Sequence, residues 1–210
     1  MTPCALPKCE PESELSVTGQ KRDSVGSRKI ELITADGKPM YLIRLATLED
    51  VPFLPEIEHA AGQLFSQFPA LWALPELPTP IEEFHQCQKS GLLWVAALLS
   101  GRLIGFAQLD MVDGLAHLDE LDVHPDYGRQ GIGTKMVQTI IEWARSNGIP
   151  AVTLTTFRDV PWNEPFYRKL GFRVLELEEL SAGLIRLVEE EESHGLDRAL
   201  RVVMKIETGA

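Results

Sequence analysis

The chain has 210 residues, 44% of them hydrophobic, and a formal net charge of −11. That length suits one compact domain with a tail, and that apolar content can fill a core. The acidity argues against general binding to nucleic acid, where attraction to phosphate supplies most of the affinity. It suits solubility or a cationic partner such as an amine.

The longest apolar run, Leu92 to Leu99, is far shorter than the roughly 20 residues that span a bilayer. No basic cap and apolar stretch opens the chain, so no signal peptide is read. The expected location is the cytosol, with no membrane association. Cys4, Cys9 and Cys87 make neither a disulfide framework nor a zinc-type pair of pairs. Three reduced thiols and no metal site are expected.

In chain order, residues 1–38 read as a tail rich in Pro, Ser, Glu and Lys, too polar for a core. Ile30 to Ile33 is a candidate strand before the turn at Asp36-Gly37. The domain is expected over 40–207. Tyr41 to Leu45 reads as a strand. Thr47 then caps a helix with Phe53, Leu54, Ile57 and Ala61 inward, stopping between Gly62 and Phe65. An irregular apolar loop, Phe68 to Pro80, leads to a second helix from Ile81 to Lys89.

Leu92–Leu99, Leu103–Met111 and Ala116–Val123 are read as an antiparallel meander, turning at Ser100-Gly101 and Asp113-Gly114. The period then changes. Met136, Val137, Ile140, Ile141 and Ala144 mark an amphipathic helix that Asn147-Gly148 ends. There follow a strand Val152–Phe157, a short helix Asn163–Leu170 with Asn163 as cap, a strand Phe172–Leu175, a helix Ser181–Glu191 and a last strand Leu200–Ile206. No internal repeat is visible.

The order strand, Tyr127-Gly128-Arg129-Gln130-Gly131-Ile132-Gly133-Thr134, then long helix has a chemical meaning. Glycine lets a backbone approach a ligand closely, and a helix N-terminus offers unpaired N–H groups to an anion. The spacing GxxGxG reverses the dinucleotide fingerprint, and Gly133-Thr134-Lys135 is not a P-loop. A tight turn without a ligand is the alternative.

The segment Leu118 to Gly133, LDELDVHPDYGRQGIG, resembles the coenzyme A-binding motif of the GNAT N-acetyltransferase superfamily. Pro165 to Phe172, PFYRKLGF, is similar to that family's Tyr-x-x-x-Gly-Phe element. Element order from Tyr41 to Ile206 agrees, so the likeness covers about four-fifths of the chain. The resemblance implies a mixed α/β fold with a twisted mixed sheet and helices on both faces. It implies acetyl-CoA as co-substrate and transfer of its acetyl group to an amine. Backbone groups of Leu121, Asp122 and Val123 would hold the pantetheine arm, and those of Arg129, Gln130, Gly131, Ile132, Gly133 and Thr134 the pyrophosphate. There are departures. Gly128 stands where the family has Gln or Arg. Val160 stands where it often has Asn, and Asn163 lies too near Tyr167 to replace it.

An alkylamine has a pKa near 10.4, so roughly one molecule in 2,500 is neutral at pH 7. A general base is therefore wanted, and the departing thiolate benefits from an acid. His117 has the intrinsic pKa of a base near neutrality, and Glu120 competes for that role. Alternation puts His117, Asp119, Leu121 and Val123 on one face and Leu118, Glu120 and Asp122 on the other, unless a bulge intervenes. The histidine also resembles one of the two in the arylalkylamine N-acetyltransferase branch. Asp119 replaces the second, which leaves a His–Asp relay open. The family likeness makes Tyr167 the expected acid. Phe65, Trp72 and Trp162 are expected to line the acceptor pocket, with Glu56 and Glu58 able to attract a cation. The acceptor is expected to be a small-molecule primary amine, and a homodimer is open. A protein lysine or N-terminus is the alternative acceptor, and a non-enzymatic coenzyme A-binding module the alternative role.

Overall fold

The computed structural model describes residues 40–68, 70–71 and 78–209, with the backbone of 20–22 and 28–30. The chain divides into two units, 1–40 and 41–210. In the first, β1 (Gln20–Arg22) pairs antiparallel with β2 (Arg28–Ile30), Gln20 opposite Ile30. Of the candidate strand 30–33, only Ile30 is among the described residues.

The second unit is built on β3 (Tyr41–Leu45), β4 (Leu93–Leu98), β5 (Leu103–Val112), β6 (Leu115–Val123), β7 (Ala151–Phe157), β8 (Arg173–Val174) and β9 (Arg201–Glu207). Their spatial order is β3-β4-β5-β6-β7-β9-β8. All pairs are antiparallel except β6 with β7. The helices are α1 (Leu54–Gly62), α2 (Ile81–Lys89), α3 (Ile132–Ser146), α4 (Glu164–Lys169) and α5 (Ala182–Ser193). The fold is thus the expected mixed α/β sheet with helices on both faces.

The pattern of apolar residues assigns the faces. Val137, Ile140 and Ala144 of α3 pack with Ile104, Ala107, Ala116, Leu118, Val152, Leu154 and Met204. Strand neighbours point to opposite faces, so Phe106 and Val203 look the other way. Phe106 packs with Leu54 and Ile57 of α1 and Phe84 of α2. Val203 packs with Leu184 and Val188 of α5. One face of the sheet therefore carries α3, and the other carries α1 and α2 over one half and α5 over the other.

Two expected caps differ from the structure. Thr47 does not cap a helix with its hydroxyl. Its N–H and Oγ1 donate to Asp50 Oδ2 at 2.7 and 2.9 Å, and Arg44 grips the same carboxylate at 2.5 and 2.9 Å. A 3-10 turn, Val51–Phe53, then precedes α1, because a buried carboxylate with four donors dictates the local chain path. Asn163 caps α4 only through its carbonyl, which accepts from Phe166 and Tyr167 N–H. Its side chain turns away, and Nδ2 donates to Thr156 Oγ1 at 2.7 Å.

Candidate active site

The site begins at an irregularity in β6. Gln108 faces Glu120 but Leu109 faces Leu118, so Asp119 is an extra residue. A bulge of this kind reverses the parity of the strand beyond it. Before it, Ala116 and Leu118 face α3; after it, Leu121 and Val123 pack against that same cluster. His117 therefore shares its face with Glu120 and Asp122, not with Leu121 and Val123 as uninterrupted alternation gives. The bulge also ends the pairing with β7, which covers only Ala116↔Val152, His117↔Thr153 and Leu118↔Leu154. Beyond Leu118, β6 and β7 splay, and the edge of Leu121, Asp122 and Val123 that faces β7 has no strand partner among the described residues. Their other edge is paired to β5. Gly105 is required there, because a Cβ would come within 2.7 Å of the Asp122 carbonyl oxygen.

Past Val123 the chain makes a 3-10 turn, Pro125–Tyr127, and enters the glycine loop. Gly128 is tight, since a Cβ would stand 3.1 Å from the Pro125 carbonyl oxygen. Arg129 and Gly131 have φ of 58° and 85°, and the first is a strained value for a non-glycine residue. A Cβ on Gly131 would meet nothing within 4 Å, and one on Gly133 only ordinary contacts. The space before the helix is open. Lys135 N–H makes the bond that opens α3, to the Gly131 carbonyl at 3.0 Å. The N–H groups of Ile132, Gly133 and Thr134 precede it and are the orphan donors of a helix start. An open, donor-rich N-terminus fits a pyrophosphate, and an unpaired strand edge fits an amide-bearing arm such as pantetheine.

The other side of β6 is polar. Glu120 and Asp122 lie deep in the protein yet keep a partial exposure, as groups lining a cleft do. Removal from water holds both carboxyls above the usual carboxylate range; the charges of Asp122 and Glu58 add to it at Glu120, and that of Glu58 at Asp122, where the hydrogen bond with Glu120 partly offsets it. Their side chains share a hydrogen bond, so they titrate as a pair. Glu58 on α1 accepts from Thr79 N–H and Oγ1 at 2.8 and 2.7 Å through Oε1, while its buried Oε2 has no partner among the described residues. Glu56 is exposed. Asp119 is open to solvent at the bulge and accepts from Gln108 Nε2 at 3.2 Å. Partial desolvation in the cleft, then the charges of Asp110 and Glu83, raise its carboxyl.

His117 is fully buried. Its Nδ1 lies 2.9 Å from Thr153 Oγ1, which itself donates to the Ala116 carbonyl at 3.4 Å. The tautomer of His117 sets which of the two, the ring nitrogen or the hydroxyl, donates in that bond. Burial, then the nearby Arg201 charge, push the imidazole down to about 4, so it is neutral at pH 7. Asp119 is bonded to Gln108 rather than to His117, and the His–Asp relay is not formed. Arg201 instead makes two bonds to Glu191, at 2.9 and 2.7 Å, and lies over the Phe157 ring at 4.8 Å.

Tyr167 of α4 is buried beside Phe166 and Phe172. Burial, then the charge of Asp122, raise its phenol, which stays protonated at any ordinary pH. Phe65 and Trp162 meet edge-on, with centroids 5.9 Å apart, and Phe68 joins them. Trp72 lies outside the described residues, as do Cys4 and Cys9. Cys87 is buried, and desolvation pushes its thiol up to about 11. No group of three or more His, Cys, Asp or Glu among the described residues could hold a metal ion. No described helix is long and apolar enough to cross a membrane.

Sequence reading missed Gln108, Thr153, Thr155, Glu191 and Arg201. One signal was available: β7 is buried throughout, yet it carries threonine at 153, 155 and 156. Polar residues in a fully buried strand call for partners.

A bulged strand that splays from its parallel neighbour and runs into a glycine-rich helix start defines an acyl-coenzyme A-binding fold. Comparison with known proteins agrees. A model described as "Acetyltransferase (GNAT) family" matches residues 59–172. The chain belongs to that family, whose co-substrate is acetyl-CoA. It is 27% identical over 162 residues to an amino-acid acetyltransferase of Mannheimia succiniciproducens, covering 74% of this chain and 34% of that one. It is 31% identical over 102 residues to the "Probable N-acetyltransferase camello" of Xenopus tropicalis, covering 47% and 46%. The chain thus spans about a third to a half of the length of these curated relatives. The structure of a PaiA N-acetyltransferase from Thermoplasma acidophilum, solved with coenzyme A, superposes with a TM-score of 0.57 at 19% identity, over 80% of this chain and 99% of that one.

Proposed function

We propose that the protein transfers the acetyl group of acetyl-CoA directly to the primary amine of a small molecule. The observation that carries this reading is the two-sided use of β6 beyond its bulge. One side offers an unpaired backbone edge leading to the glycine loop. The other offers a half-buried carboxyl pair, Glu120 and Asp122.

The Leu121–Val123 edge holds the coenzyme arm, and the loop from Arg129 to Thr134 holds its pyrophosphate. Basicity favours the carboxyl pair over His117 as the base. His117 at about 4 lies some six units below an alkylammonium near 10.4, a mismatch of about 8 kcal/mol. The raised carboxyl pair lies closer, and a base nearer the operating pH works better. The arriving ammonium gives one proton to the Glu120–Asp122 pair, which passes it to solvent. The freed nitrogen lone pair forms the C–N bond. As the C–S bond breaks, the nitrogen gives up its second proton and the sulfur gains one from Tyr167, which that proton restores. His117, locked on Thr153, shapes the floor of the cleft. Phe65 and Trp162 flank the acceptor's hydrocarbon part.

Release of free thiol from acetyl-CoA across a panel of small amines and lysine peptides tests this. Amine-dependent release that falls in Glu120→Gln, with coenzyme A affinity kept, is expected. Faster turnover of peptides than of every small amine would shift the reading to a protein acceptor. Coenzyme A binding without release on any acceptor would leave a binding module.

A further inference from the structure

The carboxylates of the cleft fall into two groups, one on each side of Glu120. Asp122 stands with Glu58 on one side, where Glu58 Oε2 is buried without a partner. Asp119 stands with Gln108 on the other. Gln108 is 9% exposed; its Nε2 is committed to Asp119, and its Oε1 is buried without a partner. Thr155, also 9% exposed, leaves Oγ1 without a partner on the same face of β7 as Thr153. Buried acceptors left unpaired are costly. Oε1 and Oε2 can only be satisfied by a donor. Cationic N–H groups are the donors that an acidic surrounding favours.

Resting on the transferase reading, we propose that the acceptor is a linear diamine or polyamine. Its reacting nitrogen lies at Glu120 and Asp122, and its second ammonium is held by Asp119 and the Gln108 carbonyl. Asp119 and Asp122 are three residues apart, at most about 10 Å along an extended strand. That span suits nitrogens joined by a butyl to hexyl spacer. An α-amino acid fits poorly. Its carboxylate would enter beside Glu58, Asp119, Glu120 and Asp122, and Arg201 is already engaged by Glu191 through two hydrogen bonds.

The test compares kcat/KM for 1,5-diaminopentane, for 1-aminopentane and for the amino acid norleucine, in wild type, Asp119→Asn and Gln108→Met. Wild type should prefer the diamine over the monoamine by tenfold or more and turn over norleucine least. Each variant should cut the diamine-to-monoamine ratio at least fivefold, chiefly through the diamine KM. A wild-type ratio near one, or a ratio unchanged in both variants, overturns the second-ammonium site. Thiol release with none of the amines, while coenzyme A still binds, overturns the transferase reading instead, so the two failures are told apart. Gln108→Met keeps the test open if Asp119→Asn disturbs the bulge.

Discussion

The free edge of β6 beyond Asp119 and its polar face differ in what they offer a ligand. Toward the proposed coenzyme site, the chain offers backbone: an unpaired strand edge, a left-handed Arg129 and Gly131, and the first N–H groups of α3. Toward the proposed acceptor site, it offers side chains from four separate elements: Glu58 of α1, Gln108 of β5, Glu120 and Asp122 of β6, and Thr155 of β7. A backbone site depends on conformation and tolerates changes of side chain. A side-chain site depends on charge and changes with each substitution. One scaffold can therefore keep its coenzyme while its acceptor varies.

Substitutions on the two sides should separate in their effects, and the largest lies on the acceptor side. Glu120→Gln should lower kcat by about 10³, within the range of general base catalysis, and change the coenzyme A dissociation constant less than twofold. An equal loss in both would merge the two sides. His117 comes next, through stability. Its folded pKa of about 4 lies below the unfolded 6.5, so its contribution is present above pH 6.5 and is lost as pH falls through 4. The shift is worth about 3 kcal/mol. Urea unfolding at pH 7 and pH 4 should show a drop smaller by that amount in His117→Gln. The carboxyl pair has the opposite sign. Raised in the fold, Glu120 and Asp122 favour the native state below their unfolded values near 4, and that contribution is lost as pH rises through the folded ones.

Tyr167 sits where the sides meet. Tyr167→Phe should lower kcat by about 10², with coenzyme A binding kept, because only the proton donor is removed. The smallest effect belongs to the coenzyme side. Gly131→Ala has room for its methyl, so it carries only the left-handed backbone cost of about 1–2 kcal/mol. Calorimetry should show coenzyme A binding about tenfold weaker, with the acceptor KM unchanged. A changed acceptor KM would mean that the loop also shapes the amine site.

The legible parts of the sequence are the local ones. The strand–loop–helix order from Ala116 to Ala144 was readable because glycines and helix periodicity answer to neighbours a few residues away. The same holds for Ser181, whose hydroxyl accepts from Leu184 N–H at the start of α5. Asn163 misled for an equally physical reason. A capping residue type stands at a helix start, but Thr156 across the splay offers its side chain a partner. Phe65 and Trp162, nearly a hundred residues apart, are in ring contact in the fold, a meeting that no local sequence signal encodes.

By itself the sequence determined the element order, the sheet with helices on both faces, and a glycine loop at a helix start, where Gly131 takes a left-handed φ of 85°. The tertiary structure decided which polar residue faces what. One extra residue at Asp119 reverses strand parity, brings His117 onto the face of Glu120 and Asp122, and opens the gap to β7. Composition does not encode that bulge. It follows from how β6 registers against β5, a pairing that exists only once the sheet has formed. The protonation of His117, Glu120 and Asp122 depends in turn on burial and on charges from α1 and β9, which the fold alone brings together.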